Sequence, residues 1–259
     1  VKESEAHGCA LPPAAADVAH DDLASASADE LWLAFRSLVN VRPPWPAPAE
    51  FLAAQNELLQ GLIAEAGVAT LADATPSPTD PRLRLWRGDI TTLAVDAIVN
   101  AANSDMTGCW APLHYCIDNA IHTFAGVQLR EACANLMAAQ GHPEPTAQAK
   151  VTDAYNLPAR YVIHTVGPIA DGRPTDTHRR QLTECYQACL DAVAGAGLAS
   201  IAFCCISTGV FGFPQAEASS IAVATVRRWL DEHPDASMTV VFNVFSETDE
   251  HLYRPLLGL

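Results

Sequence analysis

The chain has 259 residues, 49% hydrophobic and only 17% charged, which gives it the apolar mass for one or two globular domains. Thirty Asp and Glu against fifteen Lys and Arg leave a formal net charge of -15, which argues against nucleic acid as a partner, because that binding rests on Lys and Arg neutralising phosphates. No apolar run reaches the roughly 18–20 residues of a membrane span, and the start of the chain carries no secretory pattern, so a soluble, cytoplasmic, monomeric protein is expected.

Residues 1–28, rich in Ala, Asp and Ser, read as a flexible tail. Residues 29–80 read as a helical extension and linker. A short amphipathic helix opens at Asp29 and Glu30 and carries Leu31, Trp32, Phe35 and Leu38. The proline-rich stretch 42–48 cannot be helical, since each proline restricts the residue before it. A second helix follows with Phe51, Leu52, Leu58, Leu59, Leu62 and Ile63 on one face and Gly67 as its stop, then a linker over 75–81.

Residues 81–259 read as one α/β domain. Strands are expected at 83–87, 95–100, 161–166, 200–206 and 238–245, with helices near 118–140, 176–196 and 214–231. Ala97-Ile98-Val99 and the run from Ile201 to Ile206 are apolar throughout, as strands buried on both faces are, which predicts a largely parallel, helix-covered sheet. Ligands in such sheets sit beyond the carboxyl ends of the strands, here the loops after Val99, Val166 and Ile206.

Three patterns carry chemistry. Cys109, His114 and Cys116 place two thiols and an imidazole within a turn that also holds Pro112. Zinc takes such ligands at about 2.0–2.3 Å, usually four in a tetrahedron, so three local ligands leave one position for water or substrate. Chance proximity, or a structural zinc with a fourth ligand elsewhere, explains the same spacing. Asn100 and Asn103 flank the turn after a buried strand and can donate and accept hydrogen bonds, to a ribose or to the turn itself. Asp118 serves either as a helix N-cap or as the group that orients or deprotonates a water. His122 reads as a packed or capping residue rather than a ligand. The loop Ser207, Thr208, Gly209, Val210, Phe211 and Gly212 precedes Pro214 at a helix start, and its consecutive N–H groups suit an anion as well as a tight connection. Residues 88–129 contain no Lys or Arg, so a diphosphate bound there must rely on backbone N–H groups.

Taken together, Arg87-Gly88-Asp89-Ile90, Asn100-Ala101-Ala102-Asn103, the DNAIHTFAG segment at 118–126, the 155–168 segment and the 207–213 loop resemble the macrodomain family from Leu83 to the end of the chain. The cysteine–histidine loop stands where MacroD-type hydrolases carry a run of glycines. With the helical front section, it resembles the zinc-containing subgroup of ADP-ribosyl hydrolases. The resemblance implies a three-layer α/β/α macrodomain with a central mixed, largely parallel sheet. It implies ADP-ribose binding by Asp89, Ile90, Asn103, Ser207, Thr208, Gly209, Val210, Phe211, Gly212, Asn243 and Phe245. It also implies catalysis by Asn103 and Asp118, and Zn2+ on Cys109, His114 and Cys116. The expected reaction is hydrolytic removal of mono-ADP-ribose from modified protein, at an ester to an acidic side chain. The alternative is a non-catalytic ADP-ribose reader.

Overall fold

The computed structural model describes residues 25–259. The predicted tail lies outside that range up to residue 24. Its last residues belong to a helix instead: Ser27 and Glu30 form a reciprocal capping box that opens α1 (Ala28–Val41). Helix α2 (Ala49–Ala66) follows the proline stretch and stops at Gly67, as expected, but its buried line is narrower than the sequence suggests. Gln55, Leu59 and Ile63 are covered, one turn apart, while Phe51 and Leu58 stay exposed.

The 75–81 stretch is not simply a linker. Thr75–Pro76 (β2) pairs antiparallel with Leu83–Arg87 (β3) and extends the sheet, and Ala69–Thr70 (β1) pairs parallel with Leu93–Ala94 (β4). Then come β5 (Ala97–Ala102), α3 (Ile117–Ala125), α4 (Val127–Gln140), β6 (Ala149–Asp153), β7 (Tyr161–Val166), α5 (Asp176–Gly195), β8 (Ser200–Phe203), α6 (Gln215–Glu232), β9 (Thr239–Val244) and α7 (Glu247–Leu257). The main sheet runs β2-β3-β9-β8-β5-β7-β6, parallel through its centre and antiparallel at both edges. Strands β5, β7, β8 and β9 are buried almost throughout, which is why their sequences are apolar without alternation.

Strand β7 meets both covering layers, through the His164 side chain and the Val166 backbone carbonyl. His164 meets Cys133 of α4, while Cys185 of α5 donates to the Val166 carbonyl behind the sheet. On the α5 side, Tyr186 packs on Phe203 and Phe242 on Tyr253 of α7. Helices α1 and α2 lie over the α3–α4 side. Trp32 packs on Phe124, and Gln55 accepts from the Val127 N–H at 2.9 Å. That last bond marks a correction. The single helix expected over 118–140 is two helices, broken at Gly126 with φ +98, where a Cβ would lie 2.5 Å from the Gln55 amide. The front section therefore supplies the cap for the start of α4. No helix among the described residues is long and apolar enough to cross a membrane.

Candidate active site

The loops after β5, β7 and β8 gather at one edge of the sheet. Two of them are zipped together by backbone. Ala170 and Asp171 donate to the Phe211 carbonyl, and Gly172 donates to that of Gly212 at 2.7 Å. Within the 207–213 loop, Gly212 donates to Gly209 and Phe213 to Ser207, each at 2.9 Å, with Ser207 held at φ +66. The loops press so closely that a Cβ on Gly167 would fall 2.1 Å from Ser207 Oγ. Among the described residues, the N–H groups of Ser207, Gly209, Val210 and Phe211 have no acceptor within the chain, so the loop presents a row of free donors. Thr208 is spent locally, its hydroxyl donating to the Cys205 carbonyl.

At the β3–β9 end, Asp89 follows β3 and caps a short turn. Its Oδ1 accepts from the Thr91 N–H and hydroxyl, which leaves Oδ2 for another donor. Ile90 is only 2% exposed and belongs to the core, so its side chain forms a floor rather than a surface. Asn243 is buried, donating to the Gly88 carbonyl at 3.0 Å and tying the two strand ends together. Phe245, just past β9, is 75% exposed.

The other end carries the carboxylate and the cysteine–histidine loop. Asp118 is not the N-cap of α3. That position is Cys116, whose sulfur accepts from the Asn119 N–H at 3.4 Å. Asp118 is the second residue of the helix, in its first turn, and is buried, with Oδ1 accepting from Asn100 at 2.8 Å and Oδ2 lying 3.5 Å from the Asn103 amide. Burial pushes its pKa up to about 6 against the pull of the Asn100 amide and Arg130. Asn103 also donates to the Gly108 carbonyl and accepts from the Asp105 N–H, so it organises its own turn while reaching the carboxylate.

Cys109, His114 and Cys116 bring their donor atoms within 4.8 Å of one another, with Cys109 Sγ 3.4 Å from His114 Nδ1. A tetrahedral zinc with bonds of about 2.0–2.3 Å separates its ligands by about 3.4–3.8 Å, so the three residues fit such an ion. Burial drives the Cys116 thiol up to about 12, with the neighbouring Cys109 sulfur adding to the shift. A cation beside two such sulfurs reverses that cost. No fourth His, Cys, Asp or Glu joins this group among the described residues.

A second trio, His122, Cys133 and His164, lies fully buried behind Asp118. It is built as a hydrogen-bonded core. Asn100 uses its two amide hydrogens on Asp118 and on His164 Nδ1, at 3.1 Å, so His164 carries its proton on Nε2, directed at Thr152 Oγ1 (2.9 Å) and Cys133 Sγ (3.7 Å). That nitrogen has no lone pair for a metal. Burial lowers the His164 pKa to about 3 and holds His122 well below its ordinary value. The approach of His122 Nε2 to Asp118 Oδ1, 3.6 Å, is therefore a neutral ring beside a carboxylate and is too long for a hydrogen bond.

Two residues of this site were invisible to sequence reasoning. Arg130, the first Lys or Arg after Arg87, is buried beneath the cysteine–histidine loop. It donates to the Thr107 carbonyl at 2.7 Å, reaches that of Cys109 at 3.5 Å, and lies 4.3 Å from the centre of the Trp110 ring. Asn40 reaches the same loop from α1. No local motif marks either residue. The nearest signal was a polar side chain late in an otherwise amphipathic helix.

Comparison with known proteins places this architecture. Residues 99–222 match the Macro domain family. The chain is 56% identical over 232 residues to a protein-ADP-ribose hydrolase from Treponema medium, covering 89% of this chain and 88% of that protein. It is 48% identical over 229 residues to a protein-ADP-ribose hydrolase from Staphylococcus aureus (strain MRSA252), covering 88% and 85%. Among solved structures, the Trypanosoma brucei macrodomain in complex with ADP-ribose superposes with TM-score 0.65 at 30% identity, covering 96% of this chain and 97% of that one. The chain thus belongs to the macrodomain family of protein-ADP-ribose hydrolases.

Proposed function

We propose that this enzyme removes mono-ADP-ribose from modified protein side chains in a zinc-dependent hydrolysis, and that the bond it cleaves is an ester to an acidic residue. One observation carries the reading: a three-ligand group of two sulfurs and an imidazole stands two residues from a buried carboxyl group whose pKa is raised to about 6.

Cys109, His114 and Cys116 would hold the metal, which when bound supplies Lewis-acid stabilisation of negative charge developing at the distal ribose. Asp118 in its carboxylate form accepts a proton from the attacking water, while the ester bond breaks and the target's side-chain carboxylate leaves. Asn100 fixes that carboxylate through Oδ1, and Asn103 orients the ribose beside it. The unengaged N–H groups of Ser207, Gly209, Val210 and Phe211 take the diphosphate, with Thr208 and Gly212 shaping their loop. Such a backbone cradle suits a chain with no Lys or Arg between residues 88 and 129. Asp89 accepts from the adenine amino group through Oδ2, Ile90 and Asn243 shape the floor, and Phe245 lies against the base or its ribose.

The test pairs metal analysis with hydrolysis of a protein carrying ADP-ribose on glutamate, compared with serine- and arginine-linked substrates, for wild type, Cys116→Ala and Asp118→Ala. Stoichiometric zinc is expected in wild type, with release from glutamate lowered at least about 10²-fold in both variants. Undiminished turnover by zinc-free Cys116→Ala would falsify zinc dependence. Preferential release from serine or arginine would overturn the ester reading, and saturable binding without release from any substrate would mark a reader.

A further inference from the structure

We propose that the amino-terminal helix α1 is part of the metal loop's machinery, with Asn40 as the positioning residue that holds His114 in place to meet its two cysteines. The proposal rests on the zinc reading above. Its starting point is that the 109–116 loop has little structure of its own. Its internal backbone bonds are His114 N–H to the Ala111 carbonyl and Cys116 N–H to the His114 carbonyl, both 3.2 Å. Leu113, between Pro112 and His114, sits at φ +58, a left-handed conformation that a non-glycine residue keeps only when its surroundings fix it.

Asn40 fixes it. The Leu113 N–H donates to Asn40 Oδ1 at 3.0 Å. The same oxygen accepts from Asn119 Nδ2 at 2.9 Å, and that amide also donates to the Ala111 carbonyl at 3.1 Å. Asn40 Nδ2 donates to Thr123 Oγ1 at 2.9 Å, and Asn119 Oδ1 accepts from Arg36 at 3.1 Å. Asn40 and Asn119 are 1% and 0% exposed, so water does not compete for these bonds. The end of α1 grips the other side of the loop as well. Arg130 bonds the Val39 and Arg42 carbonyls at 3.1 and 2.8 Å and reaches the Cys109 carbonyl with the same guanidinium. The start of the ligand loop, at Cys109, and its middle, at Ala111 and Leu113, are thereby referenced to one helix outside the sheet domain.

A purely structural role predicts something different. If Asn40 only glued α1 to α3, removing its Thr123 arm would do as much harm as removing the amide. The full chain is therefore compared as wild type, Asn40→Ala and Thr123→Val, with zinc affinity read by competition with a chromophoric chelator and ADP-ribose affinity by calorimetry. Asn40→Ala is expected to weaken zinc about 10- to 100-fold, the usual range for groups that orient metal ligands, with ADP-ribose affinity changed less than about threefold. Thr123→Val is expected to lower Tm but keep zinc affinity. A folded Asn40→Ala chain that binds zinc like wild type overturns the clamp, as does equal weakening by Thr123→Val. Hydrogen exchange of the Leu113 amide in zinc-stripped wild type tests the same idea without a variant: protection is expected, and exchange at open-loop rates until zinc is added overturns it. Wild type that takes up no zinc overturns both this proposal and the zinc reading, whereas the other failures overturn the clamp alone.

Discussion

The two ends of the ligand-facing edge are held by different means. The 207–213 loop is shaped by its own backbone and by the neighbouring 167–172 segment, carbonyl to N–H, so glycines and left-handed residues do the shaping. The 109–116 loop is shaped from outside, by the side chains of Asn40, Asn119 and Arg130. A loop closed by backbone bonds tolerates most side-chain changes and fails when space is removed. A loop held by side chains fails when one amide or guanidinium is lost, even far away in sequence.

The largest expected effect falls on the carboxylate between these systems. Asp118→Ala should lower kcat by about 10²–10⁴-fold and leave the diphosphate end intact, so ADP-ribose affinity should change little. An equal loss in affinity would mean that the two ends act as one unit, which would break the comparison. Single-turnover release measured beside equilibrium binding separates the outcomes.

Acid provides the next effect, and it bears on one end only. His164 is neutral in the folded chain down to about pH 3, whereas unfolded histidine titrates near 6.5. Between those values the unfolded state binds the extra proton, so stability falls as pH falls, by about 3–5 kcal/mol for this group across the window. His122 acts in the same direction. Asp118 opposes them, since its pKa is raised to about 6 and the folded state gains a proton first, returning about 2–3 kcal/mol between pH 6 and 4. The histidines win. Urea midpoints from pH 7 to 4 should therefore drop for wild type and drop distinctly less for His164→Gln. Parallel curves would mean that the ring beside Asn100 is not neutral.

These two ends also differ in how far the sequence revealed them. The central strands were legible because burial on both faces writes itself as an unbroken apolar run, as in Ala97 to Val99. The 207–213 loop was legible because its conformation is local and marked by Ser, Thr and Gly. The cysteine–histidine trio was legible as spacing, but its support was not: Asn40 and Leu113 are 73 residues apart, and no periodicity links them. Asp118 was open to a cap reading because an acidic residue near a helix start usually caps, and a cysteine sulfur took that position instead. The break at Gly126 was hidden because apolar periodicity continues across it, and the decisive contact comes from Gln55 on another helix. Edge strand β6 was missed because one face is solvated and its residues read as polar.

Space-filling should injure the backbone-built end in a way the side-chain-built end does not share. Gly167→Ala places a methyl 2.1 Å from Ser207 Oγ and 2.9 Å from Ile206 Cγ2, so Ser207 must move or the 167–172 segment must back away. Overpacking of this kind costs about 1–3 kcal/mol, which should appear as ADP-ribose binding weakened about 5- to 100-fold, with zinc affinity unchanged. Zinc weakening in step would show that the strain crosses the sheet edge. Isothermal titration with each ligand decides.

The smallest effect is expected at Phe245, and it tests whether the β3–β9 end is as separable as the rest. The ring is 75% exposed and is held by no ring partner among the described residues. In the proposed reading it meets the nucleotide at a surface, where stacking on an aromatic face contributes about 0.5–1.5 kcal/mol beyond area burial. Phe245→Ala should weaken ADP-ribose roughly 2- to 10-fold and leave both kcat at saturating substrate and Tm essentially unchanged. Because Asp89 keeps its turn through Thr91 and Asn243 keeps the strand ends tied, no rearrangement should propagate from the lost ring. A fall in kcat matching the fall in affinity would instead mean that adenine contacts help align the distal ribose some distance away, and that the edge works as one lever rather than as independently built ends.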